Sequence, residues 1–193
     1  MKICIFPGTF NPIHLGHIKM AEYVLSNYNF EKIIFIPSYL PPHKEIDSRL
    51  ANHRYNMVKL ALDSNPKFEI SDIEYKSETK SYSLITVKKI IEQCGIKNRL
   101  YFIIGTDAFI KIESWYKADE LKPLVHFIVF PRKGDDIVEL DNLREKGWDF
   151  EITNMDYVDI SSTEIRAGKE VNKVNTNVEA YIKENELYKS WKI

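Results

Sequence analysis

Short apolar runs alternate with longer amphipathic segments along this chain. Four runs, at residues 3–6, 33–36, 100–104 and 127–130, are built almost wholly from Ile, Phe, Leu and Val. They are continuous rather than alternating, which predicts strands buried on both faces, as in a parallel sheet. Between the runs, apolar positions recur at helical spacing. His14, Ile18, Ala21, Leu25 and Tyr28 form one stripe. Tyr55, Val58, Ala61 and Leu62 form part of a second, in a helix predicted over about residues 49–64. Leu84, Val87, Ile90 and Ile91 form a third. From about Ser161 the pattern predicts a small helical tail that packs through Val178, Tyr181, Ile182 and Leu187. Residues 132–141 are polar and rich in Gly and Asp, so they read as a mobile loop.

Alternating strands and helices predict an α/β fold: a doubly wound, Rossmann-like parallel sheet with helices on both faces and a small C-terminal helical subdomain. The expected organisation is a single domain, residues 1–193, with the core at 1–160 and the helical part at 161–193. Ligands of such sheets sit beyond the strand C-termini, where the strand order reverses.

Composition narrows the class. With 193 residues and 44% apolar content, the chain suits one globular domain with a sizeable core. A net charge of −1 and the lack of a basic stripe argue against a nucleic-acid partner. Cys4 in a strand and Cys94 at a helix end give no disulfide framework and fit a reducing, cytoplasmic setting. The apolar start is too short for a leader, and no run is long enough to span a bilayer. Oligomeric state is not written in the sequence, which leaves room for a homo-oligomer.

Chemistry concentrates at the first strand's exit. The run ends in Pro7-Gly8-Thr9-Phe10-Asn11-Pro12-Ile13-His14-Leu15-Gly16-His17. A helix start presents unpaired N–H groups and partial positive charge, so it favours anions. Gly8 permits close backbone approach, and Asn11 before Pro12 reads as a turn whose side chain caps the helix. His14 and His17 project from one helical face. Gly16 between them costs about 1 kcal/mol of helix propensity against Ala, so something is expected to come close to the backbone there. Two histidines at this spacing also suit a plain helical surface, and without a third ligand they make a weak zinc site.

PGTFNPIHLGH resembles the (G)GTFDPIHxGH signature of the nucleotidylyltransferases that carry an HxGH motif. Pro7 stands where Gly is usual there, and Asn11 where Asp is usual. The resemblance implies attack on the α-phosphorus of a nucleoside triphosphate, with Gly8, Thr9, Phe10, His14 and His17 around ATP. Pro41-Pro42-His43-Lys44 matches the family's PPH(K/R) loop and implies Lys44 as a phosphate binder for both substrates. By itself the same loop reads as a stiff surface segment carrying a mobile cation. Ser81-Tyr82-Ser83 reads as a helix N-cap through Ser81 or Ser83. It also resembles the SYT of the branch that uses nicotinate mononucleotide, with Ser83 in place of Thr. Gly105-Thr106-Asp107 reads either as a helix cap or as the family's ribose-binding G(A/T/Q)D. Trp115-Tyr116 resembles a WY segment that stacks on a pyridine ring.

Ile160-Ser161-Ser162-Thr163-Glu164-Ile165-Arg166 reads as a capping box with Ser161 capping and Glu164 at N3. It also matches the family's ISSTxIR signature, which implies that Ser161, Ser162, Thr163 and Arg166 contact the β- and γ-phosphates. A guanidinium can grip phosphate through two parallel bonds. The resemblance spans nearly the whole chain. It implies an enzyme of NAD biosynthesis that joins ATP and nicotinate mononucleotide into deamido-NAD. The expected catalytic residues are His14, His17, Lys44 and Arg166. Lys44, Tyr82, Ser83, Trp115 and Tyr116 are expected at the mononucleotide. Mg²⁺ is expected to arrive with ATP, with no metal ligands in the protein. Nicotinamide mononucleotide, phosphopantetheine or glycerol phosphate as acceptor, or a non-catalytic nucleotide sensor, are the competing readings.

Overall fold

The computed structural model describes residues 2–188 apart from residues 64, 78–79, 133, 136 and 157. The described residues form a six-stranded, wholly parallel sheet: β1 (Ile3–Gly8), β2 (Lys32–Pro37), β3 (Phe68–Ile70), β4 (Leu100–Gly105), β5 (Val125–Phe130) and β6 (Phe150–Ile152). The strand order is β3-β2-β1-β4-β5-β6, so the order reverses between β1 and β4. The helices are α1 (Leu15–Asn27), α2 (Ala51–Leu62), α3 (Ser83–Cys94), α4 (Thr106–Phe109), α5 (Ala118–Leu121), α6 (Ile137–Glu145), α7 (Ser162–Arg166) and α8 (Thr176–Glu184).

Alternate strand residues feed two separate cores, which is what a sheet covered on both faces requires. On one face Cys4, Phe6, Ile33, Phe35 and Ile103 pack under α1, α2 and α8, through Ala21, Val24, Met57, Val58, Val178 and Ile182. On the other, Ile3, Ile5, Ile34, Ile36, Phe102 and Ile104 meet α3 and α6, through Leu84, Val87, Ile90, Leu140 and Leu143. The C-terminal helix α8 and Leu187 therefore share the core of α1 and α2.

The four long apolar runs are strands β1, β2, β4 and β5, as their pattern predicts. The two edge strands are additional. Each reads Phe-Glu-Ile, with the Glu side chain facing outward, and is too short to register as an apolar run. The predicted loop at 132–141 is corrected: α6 begins at Ile137. Gly134-Asp135 dominates the local composition, yet Leu140 and Leu143, three apart, are buried at 1% and 4% exposure and hold a helical turn on the sheet. Lys133 and Asp136 of that segment, Ser64 at the predicted end of the second helix, and residues 189–193 of the tail lie outside the described residues. No described helix is long and apolar enough to cross a membrane.

Candidate active site

β1 and β4 flank the reversal point, and their ends, Gly8 and Gly105, open a cavity of about 820 Å³. Gly8, Thr9, Phe10, His14, His17, Lys44, Gly105, Asp107, Ser161, Ser162, Thr163 and Arg166 all line it. A second cavity of about 190 Å³ adjoins it, lined by Ser38, Pro42, His43, Ser81, Tyr82, Ser83, Trp115 and Tyr116. The two cavities share a wall made by Pro7, Gly8, Thr9, Lys44 and Ala108.

The early and late motifs touch directly. Ser162 Oγ donates to the Pro12 carbonyl at 3.1 Å, and Arg166 Nη1 donates to the Asn11 carbonyl at 2.6 Å. Arg166 Nη2 also donates to Thr163 Oγ1 at 3.2 Å, which orients the guanidinium. Asn11 does not cap α1. His14 is the N-cap, with extended backbone, while Asn11 Oδ1 accepts from the Tyr188 hydroxyl at 2.6 Å. The N-cap of α3 is Tyr82, rather than Ser81 or Ser83, and that of α4 is Gly105, rather than Thr106 or Asp107. Ser161 does cap α7, accepting from Thr163 N–H, but the reciprocal acceptor for Ser161 N–H is Glu170 at 3.1 Å, because Glu164 pairs with Lys169.

The two imidazoles stack with ring centroids 3.7 Å apart. His17 Nδ1 accepts the His14 main-chain N–H at 3.2 Å, which fixes the proton on Nε2. Phe10 packs edge-on against the His17 ring at 5.1 Å and Phe6 at 6.0 Å. Burial holds the His14 pKa down at about 4, with Arg132 adding to the effect. Burial, followed by His14, Arg132 and Lys44, lowers that of His17 well below the usual value. Both rings are neutral donors at pH 7, not imidazolium ions. His14 Nδ1 is buried without a partner among the described residues, which leaves Nε2 as the nitrogen a ligand can use. What approaches Gly16 is this same ring: a Cβ there would lie 3.0 Å from His14 Nδ1 and 3.6 Å from Ile160 Cβ. At Gly8 the space is filled by Phe10, whose ring would lie 2.7 Å from a Cβ.

Cations gather over the larger cavity. Desolvation lowers the Lys44 pKa; Asp107 raises it, and Arg166, Arg132 and Arg54 lower it. Asp107 pairs with Arg132 at 3.4 Å across the cavity lip. In the smaller cavity Tyr82 stacks on Tyr116 at 4.5 Å, and Trp115 lies 6.2 Å from Phe102. Among the described residues no three His, Cys, Asp or Glu side chains group so as to hold a metal ion. This imidazole, hydroxyl and cation set suits phosphate oxygens rather than a bare divalent ion.

The sequence reading missed Arg54, Arg132 and Tyr188. Arg54 occupies a buried helical position between Ala51 and Val58, where an apolar residue is expected, and that misfit is its only mark in the sequence. Arg132 falls two residues beyond β5, at the ligand edge of the sheet. Tyr188 follows the described helices; the sequence marks it only as part of the family-like ending, with nothing to tie it to Asn11.

A model of the cytidylyltransferase-like family matches residues 5–168. A protein of Caldicellulosiruptor saccharolyticus named "Probable nicotinate-nucleotide adenylyltransferase" is 39% identical over 198 residues, covering 98% of this chain and 100% of the relative. One of the same name from Fusobacterium nucleatum is 43% identical over 166 residues, covering 86% of each. The solved structure of Plasmodium falciparum nicotinic acid mononucleotide adenylyltransferase complexed with NaAD superposes with a TM-score of 0.78 at 23% identity, covering 97% of both chains. At that identity the likeness is one of fold.

Proposed function

This chain belongs to the cytidylyltransferase-like family, and from that premise we propose that it transfers the adenylyl group of ATP to nicotinate mononucleotide, giving nicotinate adenine dinucleotide and pyrophosphate in NAD biosynthesis. Support comes from relatives of that name aligned over nearly the full chain. The observation that carries the reading is the wall shared by the two cavities. It is where an acceptor phosphate in the smaller cavity would meet the α-phosphorus of a triphosphate in the larger one.

The bond that forms joins a mononucleotide phosphate oxygen to the α-phosphorus; the bond that breaks releases pyrophosphate. A phosphate monoester has a second pKa near 6, so the nucleophile is already ionised at pH 7 and no general base is required. Catalysis then consists of alignment and charge stabilisation. His17 Nε2–H, His14 Nε2 and Lys44 Nζ act at the α-phosphate. Ser161, Ser162, Thr163 and Arg166 hold the β- and γ-phosphates, and Asp107 accepts from the ATP ribose. Tyr82, Ser83, Trp115 and Tyr116 enclose the pyridine ring. Among the described residues none groups to hold a metal, so Mg²⁺ would come with ATP and would serve to offset the phosphate charge.

The test is pyrophosphate release by the purified protein with ATP and each mononucleotide. Release with nicotinate mononucleotide, at a higher kcat/KM than with the amide, is expected. A preference for the amide would overturn the acceptor, and no release with either would leave a nucleotide-binding sensor.

A further inference from the structure

Two buried, oppositely charged side chains hold residues that line the smaller cavity without lining it or the larger one themselves. Arg54 is fully buried in α2 and makes no ion pair among the described residues. Its Nη1 donates to the carbonyls of Thr9 at 2.8 Å and Ser38 at 2.5 Å, and its Nη2 to that of Tyr39 at 3.0 Å. Glu74, 7% exposed, accepts from Tyr39 N–H at 3.2 Å and from Thr86 Oγ1 at 2.7 Å, and is hydrogen-bonded by the Ser81 hydroxyl. Tyr39 is thus gripped at its N–H by the carboxylate and at its carbonyl by the guanidinium. Next to it, Leu40 and Ser81 exchange two bonds: Leu40 N–H to Ser81 Oγ at 3.1 Å, and Ser81 N–H to the Leu40 carbonyl at 2.9 Å.

Burying an arginine on three carbonyls is expensive, and an apolar residue would pack there at less desolvation cost. What the planar fork supplies is fixed geometry. Its partners belong to two different loops, the turn after β1 and the segment after β2. Glu74 and Ser81 extend the same network to the start of α3. Thr9, Ser38, Ser81, Tyr82 and Ser83, which line the smaller cavity, therefore depend on one chain of bonds for their spacing.

We propose that Arg54 and Glu74 are positioning residues for the acceptor mononucleotide: they set the distance between the Thr9 turn and the Ser81–Ser83 segment, and touch no substrate themselves. The inference rests on the acceptor reading above. The test compares Arg54→Lys and Glu74→Gln with the wild type, measuring Tm, affinity for a non-hydrolysable ATP analogue, and kinetics with nicotinate mononucleotide. Lysine keeps the charge and loses the fork. An ångström of misplacement can cost ~10²-fold, so kcat/KM for the mononucleotide should fall by about 10–10² in Arg54→Lys, chiefly through KM. Affinity for the ATP analogue should fall less, by no more than about threefold, because Thr9 is the network residue that also lines the larger cavity, while Asp107 and the Ser161–Arg166 segment stand outside the network. Glu74→Gln preserves volume but replaces one of the two accepting oxygens with an amide donor, which loosens the grip on Tyr39 N–H or Thr86 Oγ1, so it tests the same split where the lysine variant fails to fold. A folded variant with unchanged mononucleotide KM overturns the proposal. So does loss of both affinities in step with Tm, which would mark a purely structural role. A wild type inactive with both mononucleotides would instead sink the functional reading, separately from this one.

Discussion

Arg166 donates to the main-chain carbonyl of Asn11 at 2.6 Å, across 155 residues of sequence. The guanidinium is thereby anchored over the turn that follows β1 before any ligand arrives. A hydrogen bond to a charged group contributes about 1.5–3 kcal/mol, so losing the fork in Arg166→Lys should lower kcat/KM for ATP by roughly 10–10². The KM for the mononucleotide should change little, since Arg166 does not line the smaller cavity. Steady-state kinetics with each substrate varied in turn checks this. An unchanged ATP profile would remove Arg166 from the phosphate site.

His17 offers one directed donor, because its Nδ1 is occupied by the His14 N–H. His17→Ala should reduce kcat by ~10²–10³, the scale for removing one donor from a developing oxyanion. Circular dichroism should show the fold retained, as Phe6 and Phe10 still cover the site. A purified variant turning over at near the wild-type rate would show that the imidazole is not part of the chemistry.

The sequence was most legible where the chain makes its own local geometry. The apolar runs of β1, β2, β4 and β5 mark a buried parallel sheet. The Gly8-to-His17 turn and the Ser161-to-Arg166 segment, both strand- or loop-to-helix starts, line one cavity. Legibility failed where a residue's partner is distant or is main chain. Asn11 looks like a helix cap, and its actual partner, Tyr188, is 177 residues away. Among the described residues Arg54 bonds to carbonyls, which carry no side-chain identity for a motif to record. The edge strands β3 and β6 owe their pairing to neighbours rather than to their own three residues. Gly16 was readable as a close approach, though the approaching group is His14 itself.

That contact makes Gly16→Ala a competition between two effects. Alanine gains about 1 kcal/mol of helix propensity. Its Cβ would stand 3.0 Å and 3.1 Å from His14 Nδ1 and Cε1, closer than the ring tolerates without shifting. The gain and the strain offset, so Tm should stay within about 4 °C of wild type, the shift that ~1 kcal/mol produces in a chain of this size. Activity should fall about tenfold or more, because a donor displaced by a fraction of an ångström is misaimed. Thermal melts paired with kcat measurements test the separation, and a fully active, unshifted variant would show that the His14 ring position is unimportant.

The neutral histidines also make stability depend on pH. His14 has a pKa near 4 in the folded chain against 6.5 unfolded, and His17 is shifted in the same direction. Between these values the unfolded chain binds a proton that the folded chain refuses, so stability is full above about pH 6.5 and is lost as pH falls toward 4. For a ring that is 8% exposed, the His14 share is on the order of 3 kcal/mol. Carboxylates titrate in the lower part of the same window, so the informative quantity is the difference between wild type and His14→Gln. Urea unfolding at intervals from pH 7.5 to 4.5 should show the wild type losing stability more steeply than the variant as the pH falls below about 6.5. Parallel curves would mean that His14 is not held neutral by its burial. Bound triphosphate places negative charge beside the ring and should raise its pKa. Proton NMR of the His14 ring, with and without a non-hydrolysable ATP analogue, should therefore show titration moving upward on binding.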